Sequence, residues 1–121
     1  MSAGAVRFDT QADVLIARMS GEIDLSNAEE LGVRVAETAP HDAPGVVLDL
    51  SEVEYIDSYG IFVIHGLRQR LAERRQPLVL VVPPDGLIRR AVELVGLGEA
   101  MPIKQELRAA LHVIDEVDGE P

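Results

Sequence analysis

The run Val46-Val47-Leu48 limits what this chain can become more than any other stretch, because it offers solvent no polar residue on either side. A strand with one wet face alternates apolar and polar residues, whereas a strand covered on both faces reads as a continuous apolar run. The run ends at Asp49-Leu50-Ser51, and after a brief connection Val53-Glu54-Tyr55-Ile56 leads into Asp57-Ser58-Tyr59-Gly60. From there Ile61, Ile64, Leu67 and Leu71 recur at helical spacing, with Arg68, Gln69, Arg70, Glu73, Arg74 and Arg75 on the outer positions. Ser58 is placed as the N-cap of that helix, its hydroxyl accepting from the free N–H groups of the first turn. A hydroxyl preceded by a carboxylate then stands at the positive end of a helix dipole. A second continuous run, Pro77-Leu78-Val79-Leu80-Val81-Val82, is stopped by Pro83-Pro84. Two strands buried on both faces and joined by a helix require a right-handed crossover and helices packed on a sheet.

The remaining segments fit around that unit. Val6 and Phe8 alternate with Arg7 and Asp9, Thr10 to Asp13 supply turn residues, and Val14 to Met19 form a second apolar run, which predicts an N-terminal hairpin ended by Ser20-Gly21. Glu22 to Ser26 is read as a short loop. Ser26 as N-cap and Glu29 three residues on suggest a capping box ahead of Leu31, Val33 and Val35. Pro40 to Gly45 is a turn-rich connector. Asp85 is placed as the cap of a helix carrying Leu87, Ile88, Ala91, Val92, Leu94 and Val95, closed by Gly96. Met101-Pro102-Ile103 suits a short edge strand, since proline cannot donate to a ladder. A last helix is predicted from Gln105 to Ile114. Asp115 to Pro121 holds four acids and no base, which predicts a solvated, mobile tail. The predicted order is β-β-α-β-α-β-α-β-α, an α/β fold with a mixed sheet, an N-terminal hairpin and about four helices.

At 121 residues one domain is expected, with a core over about residues 6–114 and the acidic tail beyond it. The formal charge of −10 disfavours nucleic acid and anionic membranes as partners. No apolar run approaches the roughly eighteen residues of a membrane span. The start Met1-Ser2-Ala3-Gly4 lacks a basic segment followed by an apolar one, and the chain has no cysteine, so a cytoplasmic protein without disulfides is expected.

Little in the chain suits catalysis. His41, His65 and His112 share no motif with Ser58, and no Gly-x-Ser-x-Gly elbow occurs. Without cysteine or a histidine pair at helical spacing, no metal site or cofactor is expected. No Gly-x-x-x-x-Gly-Lys loop is present to cradle phosphates. Asp49 closes a buried strand as a phospho-accepting aspartate would, but the first two strands end without an acidic pair and Lys104 is isolated. A non-enzymatic role is expected.

Three segments together resemble a known family: Gly21-Glu22-Ile23-Asp24 after the hairpin; Val47-Leu48-Asp49-Leu50-Ser51 running into Ile56-Asp57-Ser58-Tyr59-Gly60; and Val92-Glu93-Leu94-Val95-Gly96-Leu97 before Met101-Pro102-Ile103. They resemble the STAS domain (sulfate transporter and anti-sigma factor antagonist), and within it the free-standing bacterial anti-sigma factor antagonists. The resemblance implies phosphorylation of Ser58 by a partner that is both serine kinase and anti-sigma factor. It implies that the unmodified protein binds this partner and frees a sigma factor, that phosphate blocks binding, and that a phosphoserine phosphatase restores it. By position, Glu22, Ile23, Asp24, Ser26, Asp57, Tyr59 and Gly60 become the partner-binding residues, in a monomer or weak homodimer. Tyr59 stands where the family usually has Ser or Thr, and Phe62 where a second Gly is frequent. A bulky residue there resembles scaffold subunits of stress-signalling complexes, and Tyr59 is either an exposed interface anchor or packed on the sheet. An anion-sensing STAS domain, binding at the helix end before Ile61, is the other alternative.

Overall fold

The structure, a computed structural model, describes residues 2–118. Strand β1 (Ala5–Gln11) turns back antiparallel into β2 (Val14–Ile23). Helix α1 (Ala28–Thr38), strand β3 (Val46–Ile56), helix α2 (Ser58–Glu73) and strand β4 (Leu78–Val81) follow. Helix α3 (Leu87–Leu94), a single turn α4 (Leu97–Ala100), strand β5 (Ile103–Lys104) and helix α5 (Leu107–Asp118) complete the described chain. The five strands lie in sequence order, parallel from β2 to β5. The hairpin and the alternation of strands and helices are as the sequence predicts, and the short edge strand is present but comprises Ile103–Lys104, with Met101 and Pro102 of the predicted strand lying before it.

Strand β3 is the axis. Val47 is paired with Ile16 on one side and Val79 on the other, and none of the three is exposed. Side chains alternate across the sheet. Leu15, Ala17, Val46, Leu48, Leu78 and Leu80 face the core under α1 to α4, while Val14, Ile16, Val47, Val79 and Val81 face α5 through Ala110 and Ile114. This two-sided cover explains why the central runs carry no polar positions. Gly32 lets α1 approach α2 closely, since a Cβ there would lie 2.7 Å from Val63. Buried Gln76 fastens the Pro40–Gly45 connector, its amide donating to the Pro40 carbonyl at 2.6 Å and the Ala43 carbonyl at 3.1 Å.

Several predicted boundaries are corrected. Strand β3 runs unbroken through Ser51 and Glu52, because β2 continues to pair with it as far as Ile56 while β4 stops opposite Asp49. Its far half therefore lacks one neighbour, which leaves Ser51, Glu52, Glu54 and Tyr55 exposed while Val53 and Ile56 stay buried. Strand β2 likewise does not end at Ser20-Gly21. Gly21, at φ 75°, lies at an irregularity of the β2–β3 pairing, and the strand goes on through Glu22 and Ile23. A Cβ on Gly21 would also meet the Ala3 carbonyl at 2.5 Å. Gly86, not Asp85, precedes α3 and offers no side-chain cap. Leu87, Leu94 and Val95 face solvent, and only Val92 of that helix is fully buried. Helix α5 continues four residues past its predicted end, so Asp115 to Asp118 are helical. The rest of the expected tail, 119–121, lies outside the described residues.

Candidate functional site

Strands β2 and β3 are parallel neighbours that finish together at the Ile23–Ile56 pair. The next residue of each chain segment is an aspartate, so Asp24 and Asp57 leave the same end of the sheet on adjacent connections. The Asp57 amide still donates to the Ile23 carbonyl at 3.2 Å, which holds the two exits together. This end of a parallel sheet, where helices begin, is where α/β folds gather functional groups.

Asp57, not Ser58, is the N-cap of α2. It has extended backbone (φ −96°, ψ 179°), and its Oδ1 accepts from the Gly60 amide at 2.8 Å. Its Oδ2 accepts from the Leu25 amide at 3.1 Å. One carboxylate thus closes the helix start and tethers the neighbouring loop. Ser58 is displaced by one position, to the first residue of α2, and is exposed. The Ser58 hydroxyl is therefore not consumed in capping.

The loop from Asp24 to Asn27 is tied by its own polar groups. Asp24 Oδ1 accepts from the Ser26 amide at 2.9 Å and from the Ser26 hydroxyl at 2.5 Å. These two bonds hold the Asp24 carboxyl below the ordinary aspartate value. The Asp24 carbonyl accepts from the amides of Asn27 and Ala28. Asn27 Oδ1 accepts from the Asp24 amide at 3.0 Å, and its Nδ2 donates to the Glu22 carbonyl at 2.9 Å. The predicted capping box is absent: Asn27 occupies the position before α1, Ser26 bonds back to Asp24, and Glu29 is engaged elsewhere. Sequence reasoning passed over Asn27 because Ser26 looked sufficient as a cap. The Asp-x-Ser-Asn pattern, rich in side chains that bond nearby backbone, was the available signal.

Glu29 accepts from the Tyr59 hydroxyl at 3.3 Å, and its negative charge pushes the phenol above the ordinary tyrosine value. Tyr59 is half-buried and packs against the core, and its ring lies 5.9 Å from that of Phe62, which is 67% exposed. An aromatic surface therefore adjoins Ser58. Asp24, Leu25, Ser26, Tyr55 and Asp57 line a shallow depression of ≈ 400 Å³ beside it. Leu25 and Tyr55, both exposed, were not singled out in the sequence.

The other candidate positions have internal roles. Ile23 is 2% exposed and belongs to the core. Gly60 is buried, and a Cβ there would lie 2.7 Å from Ile56. Glu22 is half-buried, its amide donating to the Ser2 carbonyl. These three shape the platform, while Asp24, Ser26, Asp57, Ser58 and Tyr59 share its surface. Asp49 is engaged by the Ser51 amide at 2.9 Å and by Arg18 at 3.7 Å. Among the described residues no group of three or more His, Cys, Asp or Glu is arranged to hold a metal ion, and no helix is long and apolar enough to cross a membrane.

The sequence model described as the STAS domain matches residues 5–110. The anti-sigma-B factor antagonist of Listeria monocytogenes is 37% identical over 94 residues, covering 76% of this chain and 77% of that protein. The anti-sigma-F factor antagonist RsfB of Mycobacterium tuberculosis is 28% identical over 98 residues, covering 81% and 79% respectively. The crystal structure of an anti-sigma factor antagonist from Mycobacterium paratuberculosis aligns with a TM-score of 0.79 at 25% identity, covering 93% of this chain and 95% of that one.

Proposed function

We propose, from the premise that this chain belongs to the STAS domain family, that it is an anti-sigma factor antagonist gated by phosphate on Ser58. Its role is regulatory and not catalytic. The observation that carries the reading is the division of labour at the start of α2. Asp57 satisfies the helix end and the Leu25 amide, which leaves the exposed Ser58 hydroxyl available to a kinase. The partner is an anti-sigma factor with serine kinase activity, and a phosphoserine phosphatase resets the switch. The binding surface is formed by the Asp24–Ser26 loop, Asp57, Ser58 and Tyr59, supported from below by Glu22, Ile23 and Gly60.

A second reading is favoured by one observation, the Tyr59–Phe62 aromatic surface next to Ser58. An exposed aromatic beside the site suits a scaffold subunit held in a large stress-signalling assembly. Affinity capture separates the two. Unmodified protein and protein phosphorylated at Ser58 are immobilised, and what each retains from extract of the source organism is identified by mass spectrometry. An anti-sigma kinase held by the unmodified form and released by the phosphorylated one supports the antagonist. Retention of a large assembly of homologous chains by both forms supports the scaffold. Identical retention of unrelated proteins by both overturns the gating.

A further inference from the structure

We propose that β1 is a self-recognition edge, pairing antiparallel with β1 of a second copy of this chain in a single register centred on Phe8. Among the described residues β1 is the outermost strand of the sheet, paired to β2 on one side only. Its other side runs seven residues with the backbone groups of alternate residues pointing outward, unlike the two-residue edge at β5. An exposed edge of that length is a template for another strand unless something opposes it.

Geometry leaves few ways to use it. In an antiparallel pair, directly opposite residues share the same hydrogen-bonding parity. A two-fold pairing of β1 with itself must therefore centre on one residue. Centring on Arg7 would set Arg7 against Arg7, and centring on Asp9 would set Asp9 against Asp9. Centring on Phe8 sets Arg7 against Asp9 twice, with Val6 facing Thr10 and Ala5 facing Gln11. Like charges directly opposite destabilise a sheet and opposite charges stabilise it, so charge selects this register from the three, while centring on Val6 or Thr10 would overlap only residues 5–7 or 9–11 of the strand. Both side chains are available for it, 64% exposed at Arg7 and 63% at Asp9. Their present ion-pair partners, Glu52 at 3.1 Å for Arg7 and Arg18 at 3.7 Å for Asp9, are surface contacts of the kind that contribute little, and the Thr10 amide, which now donates to Asp9 at 2.8 Å, exchanges that acceptor for a carbonyl of the facing strand. On the opposite face the two Phe8 rings meet at the axis, each already covered on one side by Arg34 at 5.9 Å. The product is one continuous ten-stranded sheet, twice the five strands of one copy.

Charge exchange tests the register without touching the core. Arg7→Glu and Asp9→Lys are made separately, and circular dichroism confirms that each keeps its fold. Each variant alone places like charges opposite each other in the proposed register. Mixed together, Glu at 7 faces Lys at 9, and Asp at 9 faces Arg at 7. Sedimentation equilibrium is expected to show self-association of the unchanged protein, weakened about tenfold or more in each variant alone. The equimolar mixture is expected to recover it. An unchanged protein that stays monomeric at millimolar concentration overturns the proposal. So does dimerisation that both variants retain alone, or a mixture that associates no better than its components.

Discussion

Asp57 accepts a hydrogen bond at 3.1 Å from the amide of Leu25, a residue 32 positions earlier in the chain. The same carboxylate caps α2 through the Gly60 amide at 2.8 Å. The residue before the exposed serine therefore joins the β2–α1 loop to the β3–α2 junction, and Ser58 is relieved of any structural duty there.

This division predicts opposite outcomes at adjacent residues. Asp57→Ala removes a cap and a loop tether together, and is expected to cost about 1–2 kcal/mol. Ser58→Ala removes no cap and is expected to stay within about 0.5 kcal/mol of the unchanged protein. Urea unfolding of both variants checks this, and amide exchange at Leu25 and Gly60 should quicken only in Asp57→Ala. A loss of about 1 kcal/mol at Ser58→Ala would return the capping role to the serine.

Charge at the loop carries its own pH signature. The Asp24 carboxyl is held below the ordinary aspartate value by the Ser26 hydroxyl and amide. Because the folded value is depressed, the contribution of the Asp24 carboxylate to this loop is fully present above the ordinary value. That contribution is lost as pH falls through the depressed one, while the main-chain and Asn27 bonds remain. In a carboxyl-detected NMR titration Asp24 is expected to titrate below free aspartate, and Ser26→Ala to move it back up. Asp24→Ala should leave the melting temperature nearly unchanged, since the Asp24 main-chain atoms make the bonds to Asn27 and Ala28. Partner affinity should fall.

The core sets a sharper test. Val47 is fully buried between Ile16 and Val79, with α5 closing over that face. Val47→Asp places a charge there with no partner, which natural folds tolerate only when the group is paired or neutralised. Loss of soluble, folded protein on expression is the expected result. In the unchanged protein the amides of Val46 to Leu50 and of Leu78 to Val81 should exchange most slowly. Slow exchange confined to the hairpin would contradict the central place of β3 and β4.

What the sequence disclosed follows from how far each signal is local. The unbroken runs at Val46 and Leu78 announce burial on both faces by themselves, and the α2 periodicity needs no partner to be read. Ser51 and Glu52 misled because polarity in β3 reflects the absence of β4 beyond Asp49, a property of the neighbouring strand. Leu87, Leu94 and Val95 misled in the other direction, since apolar residues of α3 face solvent in the single chain. The candidate site was legible as two motifs, one at Asp24 and one at Asp57-Ser58. Their meeting depends on β2 and β3 being adjacent and ending together, and the Asp57–Leu25 bond on the one-residue shift that makes Asp57 the cap. Ile23 and Gly60 belong to the same motifs but lie inside, Ile23 by strand alternation and Gly60 where a Cβ would lie 2.7 Å from Ile56.

A phosphate on Ser58 adds roughly −1.5 to −2 charges at the first residue of α2. The helix dipole favours an anion at that end, so α2 is not expected to melt. The added charge instead joins the Asp57 carboxylate next to it in sequence and the Asp24 carboxylate at the neighbouring strand end, in a surface that must lose water to meet a partner. Burying uncompensated charge at an interface costs several kcal/mol, so affinity should fall roughly a hundredfold or more. Ser58→Ala is expected to bind the anti-sigma partner permanently, whereas the phosphorylated protein and Ser58→Glu keep their helical signal and bind poorly. Circular dichroism and titration calorimetry on the three forms measure both halves of that statement. A helical signal lost on phosphorylation would mean that gating works by unfolding. Unchanged affinity, with phosphate at Ser58 confirmed by mass spectrometry, would remove the electrostatic gate altogether.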